Sequence, residues 1–195
     1  MEGDLMIEQE IKSIISESLL LKYKKILDGL TPHKRILQIN YYFDSPDFRL
    51  NSLGNTLRIR QKENQLILQY KYEKQYTGIQ KTCKEFEVEL QRFPSHISSN
   101  DFPSDTIDSD SLYKFAGNLI TERLDYIYAE TNISLDKSYY LGKCDYEIEI
   151  EFQDYNKAEA ILKLLSIEKI ESHEMGKYNR FVKELQRLED ENNEY

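Results

Sequence analysis

The chain has 195 residues, 39% of them hydrophobic and 31% charged, with a formal net charge of −9 at pH 7. This length suits one domain with a core of its own, and the composition is that of a soluble globular protein. The acidic total excludes nonspecific attraction to nucleic acid or to anionic membranes, so an anion can be held only by local cations or bridging metal ions.

The predicted elements follow in chain order. Leu5–Ser13 is the first strand. A helix capped by Ser16 or Ser18 runs to about Leu30, with Leu19, Leu20, Tyr23, Ile26 and Leu27 on one side, and Thr31-Pro32 ends it. Ile36–Phe43 alternates, Asp44-Ser45-Pro46-Asp47 is a turn, and Phe48–Leu53 leads to a second turn at Gly54-Asn55. Thr56–Gln61 and Leu66–Tyr72 form a hairpin. Gln75–Lys81, containing Gly78, reads as a polar connection into the strand Thr82–Leu90. Residues 92–111 hold two prolines and six serines and read as an irregular surface insertion, with a short helix over 111–116. Asn118–Tyr128 and Thr131–Ser138 form a hairpin, and Lys143–Phe152 is the last strand. Asn156–Leu165 and Gly176–Leu188 are helical, and the acidic end, Glu189–Tyr195, is expected to be disordered beyond a single domain of residues 1–188.

Several of these strands place charge at every second position. Glu8-x-Glu10-x-Lys12, Arg58-x-Arg60, Glu85-x-Glu87-x-Glu89, Arg123-x-Asp125 and Glu147-x-Glu149-x-Glu151 each load one face of a strand. Ordinary solvent faces mix charges with Thr, Ser and Gln; these segregate into acid triplets and a basic pair. Three carboxylates along one strand face repel unless cations sit between them. The pattern makes sense if acidic strands confront basic ones across an enclosed space, with the apolar faces outward and covered by helices. About eight strands with hairpin-length connections predict an α+β protein whose antiparallel sheet closes or nearly closes.

Other chemistries find little here. No Gly-rich phosphate loop is present, and His33, His96 and His173 all fall in predicted connections, away from the charged faces. Cys83 and Cys144 have no metal-ligand spacing and read as reduced structural thiols. Tyr70, Tyr72, Tyr126 and Tyr128 read as packing. The N-terminal residues carry no apolar signal core, and no apolar run reaches the ~18 residues of a membrane span, so the expected compartment is the cytoplasm.

The Glu8-x-Glu10-x-Lys12 element resembles the signature of the CYTH superfamily, the triphosphate tunnel metalloenzymes. Further matches follow in the family's order: Tyr41–Asp47, Leu57-Arg58-Ile59-Arg60, Lys71, Glu87-x-Glu89, Arg123, Leu135-Asp136-Lys137, Asp145–Glu151 and Gly176–Phe181. The phrasing is similar to the YjbK-type bacterial branch. The resemblance implies an eight-stranded antiparallel β-barrel flanked by helices, and divalent-cation-dependent action on triphosphates. It implies that Lys12, Arg58, Arg60, Lys71, Arg123, Lys177 and Arg180 bind phosphate, Arg through planar forks and Lys as point charges. It implies a two-metal site for Mg²⁺ or Mn²⁺ formed by Glu8, Glu10, Asp136, Glu147 and Glu149, with Glu87 and Glu89 as a further acidic pair in mid-barrel. Glu8, Glu10, Lys12, Glu147 and Glu149 are then the catalytic set, while Glu85 and Glu151 lie nearer the mouths.

The expected reaction is hydrolysis of the terminal phosphoanhydride of inorganic tripolyphosphate or a small organic triphosphate, such as thiamine triphosphate or a nucleoside triphosphate. The alternatives are an adenylyl cyclase using the same tunnel, or a non-catalytic module that binds polyphosphate or a phosphorylated nucleotide. The expected partner is that small anion alone, with no nucleic acid and no membrane, for a monomer or homodimer. One departure stands out: many relatives carry Lys two residues before the Arg matching Arg123, and here that place is Thr121.

Overall fold

A computed structural model describes residues 3–102, 111–168, 170 and 176–193. The element order is β1 (Asp4–Ile15), α1 (Glu17–Asp28), β2 (His33–Asp44), α2 (Arg49–Ser52), β3 (Thr56–Lys62), β4 (Gln65–Thr77), β5 (Gln80–Leu90), β6 (Ile97–Ser98), β7 (Leu112–Tyr128), β8 (Thr131–Tyr140), β9 (Lys143–Glu151), α3 (Tyr155–Leu165) and α4 (Lys177–Asn193). Eight strands pair in the order β2-β3-β4-β5-β1-β9-β8-β7, and β2 pairs back to β7, which closes an antiparallel barrel with β6 appended to β7.

The two-residue period of each strand sorts side chains between two environments. Ile11, Leu57, Ile59, Leu68, Ile133, Leu135, Ile148 and Ile150 face outward and are nonetheless buried. On one side of the barrel, Tyr23 and Leu27 of α1 and Ala158, Ile161, Leu162 and Leu165 of α3 cover them. The Ser16 hydroxyl accepts from the Leu19 N–H at 3.2 Å and starts α1. On the other side, Ile97, Phe102 and Tyr113 close over Phe43, Leu57, Leu68, Tyr70 and Phe86. The stretch read as a surface insertion is therefore the cover of the β3–β4–β5 wall; its residues 103–110 lie outside the described ones.

Three predicted boundaries change. Residues 112–116 are strand, not helix, because β2 needs a partner along its whole length: Phe43 pairs with Phe115 and Asp44 with Lys114. Residues 75–81 are no loose connection but the tip of the β4–β5 hairpin, Tyr76 facing Lys81 and Gly78 turning at φ 60°. Helix α4 continues to Asn193, past the point where disorder is expected to begin.

Helix α4 is docked by its first turns. Tyr178 stacks on Tyr42 at 4.4 Å, with Phe181 and Val182 beside them. The Tyr178 hydroxyl donates to Asp44 at 2.8 Å, and the same carboxylate accepts the N–H groups of Ser45, Leu50 and Asn51 at 2.8, 2.9 and 3.0 Å. One aspartate thus holds both the turn after β2 and the helix. Gly117 (φ 150°) leaves room for the Phe181 ring, into which a Cβ would run.

Candidate active site

The inward faces of the strands enclose a cavity of about 720 Å³ lined largely by charged side chains. Strand register builds its acidic wall. Glu10 lies beside Glu151 and Lys12 beside Glu149 across β1–β9, while Asp136 lies beside Glu147 across β8–β9. Among the described residues two groups of three carboxylates result, Glu8/Glu10/Glu151 and Asp136/Glu147/Glu149, each with ligand oxygens within 4.8 Å of one another.

Cations already hold much of this wall. The Arg123 fork donates twice to Asp136, at 2.7 Å each, and also to Glu149. Lys177, from the first turn of α4, reaches Asp136 at 2.8 Å and Glu147 and Glu149 at 2.6 Å. Arg180 donates to Asp145 at 2.9 Å and Glu147 at 2.8 Å. Lys71 sits 2.6 Å from Glu8, and Lys12 sits 3.2 Å from Glu10, which also accepts from Lys81.

Burial opposes charge on all these carboxylates, and their neighbours decide the outcome. Against burial, Lys71 keeps Glu8 below the usual range, Lys12 and Lys81 do so for Glu10, and Arg123 and Lys177 for Asp136. Burial raises Glu147, with Glu149 adding to the effect, whereas Lys177 and Arg123 overcome burial to lower Glu149, so the two are pushed in opposite directions. Glu151 is also raised, by burial and then by Glu8 and Glu149. Each cluster thus has one carboxylate raised above the usual range, Glu147 despite its contacts with Lys177 and Arg180.

The opposite wall is basic. Arg58 donates to Gln69 at 2.7 Å and lies 3.9 Å from Glu85. Arg60 donates to the Asn40 side-chain oxygen at 3.0 Å. Among the described residues it meets no carboxylate within ion-pair reach, and burial, then Arg58 and Arg123, bring it down to about 10. Lys62 is lowered by burial and by Arg60.

Of the expected phosphate-binding residues, Lys12, Arg58, Arg60, Lys71, Arg123 and Lys177 line the cavity, though not on equal terms, and Arg180 does not line it. Arg123, Lys177 and Arg180 are engaged by carboxylates, while Arg60 is not. The mid-barrel acidic pair is misplaced by one step. Glu85 pairs with Lys71 across β4–β5 and is buried, with Lys71 at 3.3 Å, whereas Glu89 pairs with Ile67 and is exposed at the rim. Glu87 lies between and accepts from Gln69. Glu151, expected near a mouth, joins Glu8 and Glu10. Lys62, Lys74 and Lys81 are missed by the sequence reading. Lys81 continues the 83/85/87 alternation toward the hairpin tip, and that spacing is its signal in the sequence. Thr121 is buried and hydrogen-bonded to Ser138 at 3.0 Å. His33 lies on β2, not in a connection, 3.0 Å from Asp28 and outside the barrel, and His173 is outside the described residues. Cys83 donates to Glu8 at 3.2 Å, and Cys144 is exposed; both are free.

The CYTH domain model matches residues 6–181. The chain belongs to the CYTH domain family. It is 34% identical over 187 residues to YjbK of Bacillus subtilis (strain 168), a protein named as a candidate triphosphatase, covering 93% of this chain and 92% of that one. A solved Bacillus halodurans structure described as a candidate adenylate cyclase superposes with TM-score 0.70 at 29% identity, over 91% of this chain and 98% of that one. The Hippeastrum protein HpAC1, a candidate adenylyl cyclase described as having a dominant triphosphatase activity, shares the fold with TM-score 0.71 at 24% identity, over 90% of this chain and 95% of that one. No helix among the described residues is long and apolar enough to cross a membrane.

Proposed function

We propose that this CYTH protein is a divalent-metal-dependent triphosphatase that cleaves the terminal phosphoanhydride of inorganic tripolyphosphate or a small organic triphosphate. The carrying observation is one cavity lined by Glu8, Glu10, Glu149 and Glu151 together with Arg58 and Arg60, with the buried Asp136 and Glu147 completing a second triad around Glu149. The donor set suits Mg²⁺ or Mn²⁺: all ligands are oxygen, and burial and neighbouring carboxylates raise Glu147 and Glu151, so each triad holds a carboxylate that an added cation would relieve. Glu8, Glu10 and Glu151 would hold one ion and Asp136, Glu147 and Glu149 another. When bound there, a divalent ion supplies Lewis acidity toward the phosphoryl oxygens and the attacking water.

The chain's own residues do the rest. Arg58 and Arg60 clamp phosphoryl oxygens through planar forks and stabilise the charge that develops on them. Lys12 and Lys71, kept protonated by Glu10 and Glu8, add point charges. Arg123 and Lys177 fix the carboxylates at ligand distance. Relatives described as candidate cyclases give an alternative reading, in which the same cavity acts on the α-phosphate of ATP. Incubation with tripolyphosphate and Mg²⁺ or Mn²⁺ should release orthophosphate, and Glu8→Gln/Glu10→Gln should lose about 10³-fold or more of that rate. Cyclic AMP from ATP without orthophosphate release would favour the cyclase, and tight binding without turnover in wild type would favour the sensor.

A further inference from the structure

The β4–β5 hairpin contains a device that the proposed function leaves unused. Up to Lys71, the odd-numbered residues of β4 face the cavity: Ile67, Gln69 and Lys71 all line it. The register then shifts between Tyr72 and Gln75, and Glu73 adopts φ 50°, a left-handed conformation that a glutamate takes at a cost. After this bulge the even-numbered Lys74 and Tyr76 line the cavity. A regular strand would have sent Lys74 outward, and bulges beside functional sites commonly re-aim a side chain in this way.

The re-aimed lysine is placed among like charges. Lys81 and Cys83 of β5, Lys12 of β1 and Lys71 of its own strand face it. Its hydrogen-bond partner is the Thr56 hydroxyl of β3, at 3.2 Å. Nearby acids are engaged elsewhere: Glu10 by Lys12 and Lys81, and Glu73 by Lys84 at 2.7 Å. Thr56 lies four residues along β3 from Arg60, about 13 Å at a strand's rise per residue. Lys74 is therefore an amine at the opposite end of β3 from Arg60 and Lys62, turned inward at a conformational cost and with no carboxylate within ion-pair reach among the described residues.

We propose that Lys74 and Thr56 form an outer anion subsite of the cavity, and that Lys74 takes up a proton when a phosphorylated ligand binds. The inference rests on the proposed function only in taking a triphosphate as that ligand. Its chemistry is consistent with the free protein: burial, then Lys81 and Lys12, bring the Lys74 amine down to about 7. A bound polyanion reverses that repulsion. Below pH 7 the subsite is already charged. Above it, binding draws in a proton, so affinity falls with rising pH by up to about ten-fold per unit.

Isothermal titration of the full chain with sodium tripolyphosphate, without divalent metal, in two buffers of different ionisation enthalpy at pH 7.5 reads the proton directly. Wild type should take up a fraction of a proton more than Lys74→Met, which cancels the ligand's own titration, and Lys74→Met should bind about ten-fold more weakly. Lys74→Arg, permanently charged, should keep the affinity and lose the linkage. Equal proton uptake in wild type and Lys74→Met, with binding intact, overturns this inference and leaves the proposed function standing. No binding to wild type, with or without Mg²⁺, overturns both.

Discussion

The wall of β1, β8 and β9 and the wall of β3 and β4 are both charged, but they are charged for different ends. On the first, every carboxylate of the Asp136/Glu147/Glu149 triad already touches Lys177, Arg123 or Arg180. On the second, Arg60, Lys62 and Lys74 meet no carboxylate within ion-pair reach among the described residues, and all three are lowered by burial and by neighbouring cations. Paired charges hold the walls together; unpaired ones destabilise the barrel unless, as proposed, a ligand anion meets them. A fully paired triad on one wall and these three unpaired cations on the other, beside the paired Lys71 and Arg58, separate charges that hold the fold from charges that, in the proposed function, meet the ligand.

The largest expected effect breaks the paired wall. Asp136→Asn leaves Arg123 and Lys177 without their shared carboxylate and should destabilise the protein by about 3–5 kcal/mol, read from the urea midpoint. An unchanged midpoint would mean that the pairs contribute nothing. Acid should act in the same direction. The folded-state pKa values of Glu8, Glu10, Asp136 and Glu149 lie below their unfolded ones, so this stability is complete above about pH 5 and drains as pH falls through the folded values.

A smaller effect should have opposite signs in two assays. Arg60→Met should lower tripolyphosphate turnover by about 10²-fold while leaving the urea midpoint unchanged or raised, because it removes a half-buried charge that no carboxylate offsets. A lower midpoint would place Arg60 with the structural cations. Least of all, Tyr178→Phe removes one hydrogen bond to Asp44 and should cost about 1 kcal/mol, visible as faster amide exchange in the first turns of α4. Uniform exchange across the barrel would show that this bond does not localise the helix.

Much of this arrangement was legible in the residues because the two-residue period is a hard geometric rule. Once Glu8, Glu10 and Lys12 share a face, closure of the sheet decides only what they confront. The errors arose where periodicity alone is silent. The bulge at Glu73 inverts the alternation, so Lys74 reads as outward. Register, not spacing, sets Glu85 against Lys71 and Glu89 against Ile67, and nothing within β5 distinguishes the three glutamates. Pairing across the barrel likewise brings Glu151 to Glu10, and it converts residues 112–116 from an expected helix into the far end of a strand that β2 requires.

A crystal of the protein grown with Mn²⁺ and the non-hydrolysable imido analogue of tripolyphosphate tests the central claim most directly. The account predicts anomalous density against Glu8/Glu10/Glu151 or Asp136/Glu147/Glu149, with phosphoryl oxygens facing Arg58 and Arg60 inside the barrel. Phosphates seated on the outer surface, with Arg60 still bound only to Asn40, would contradict it.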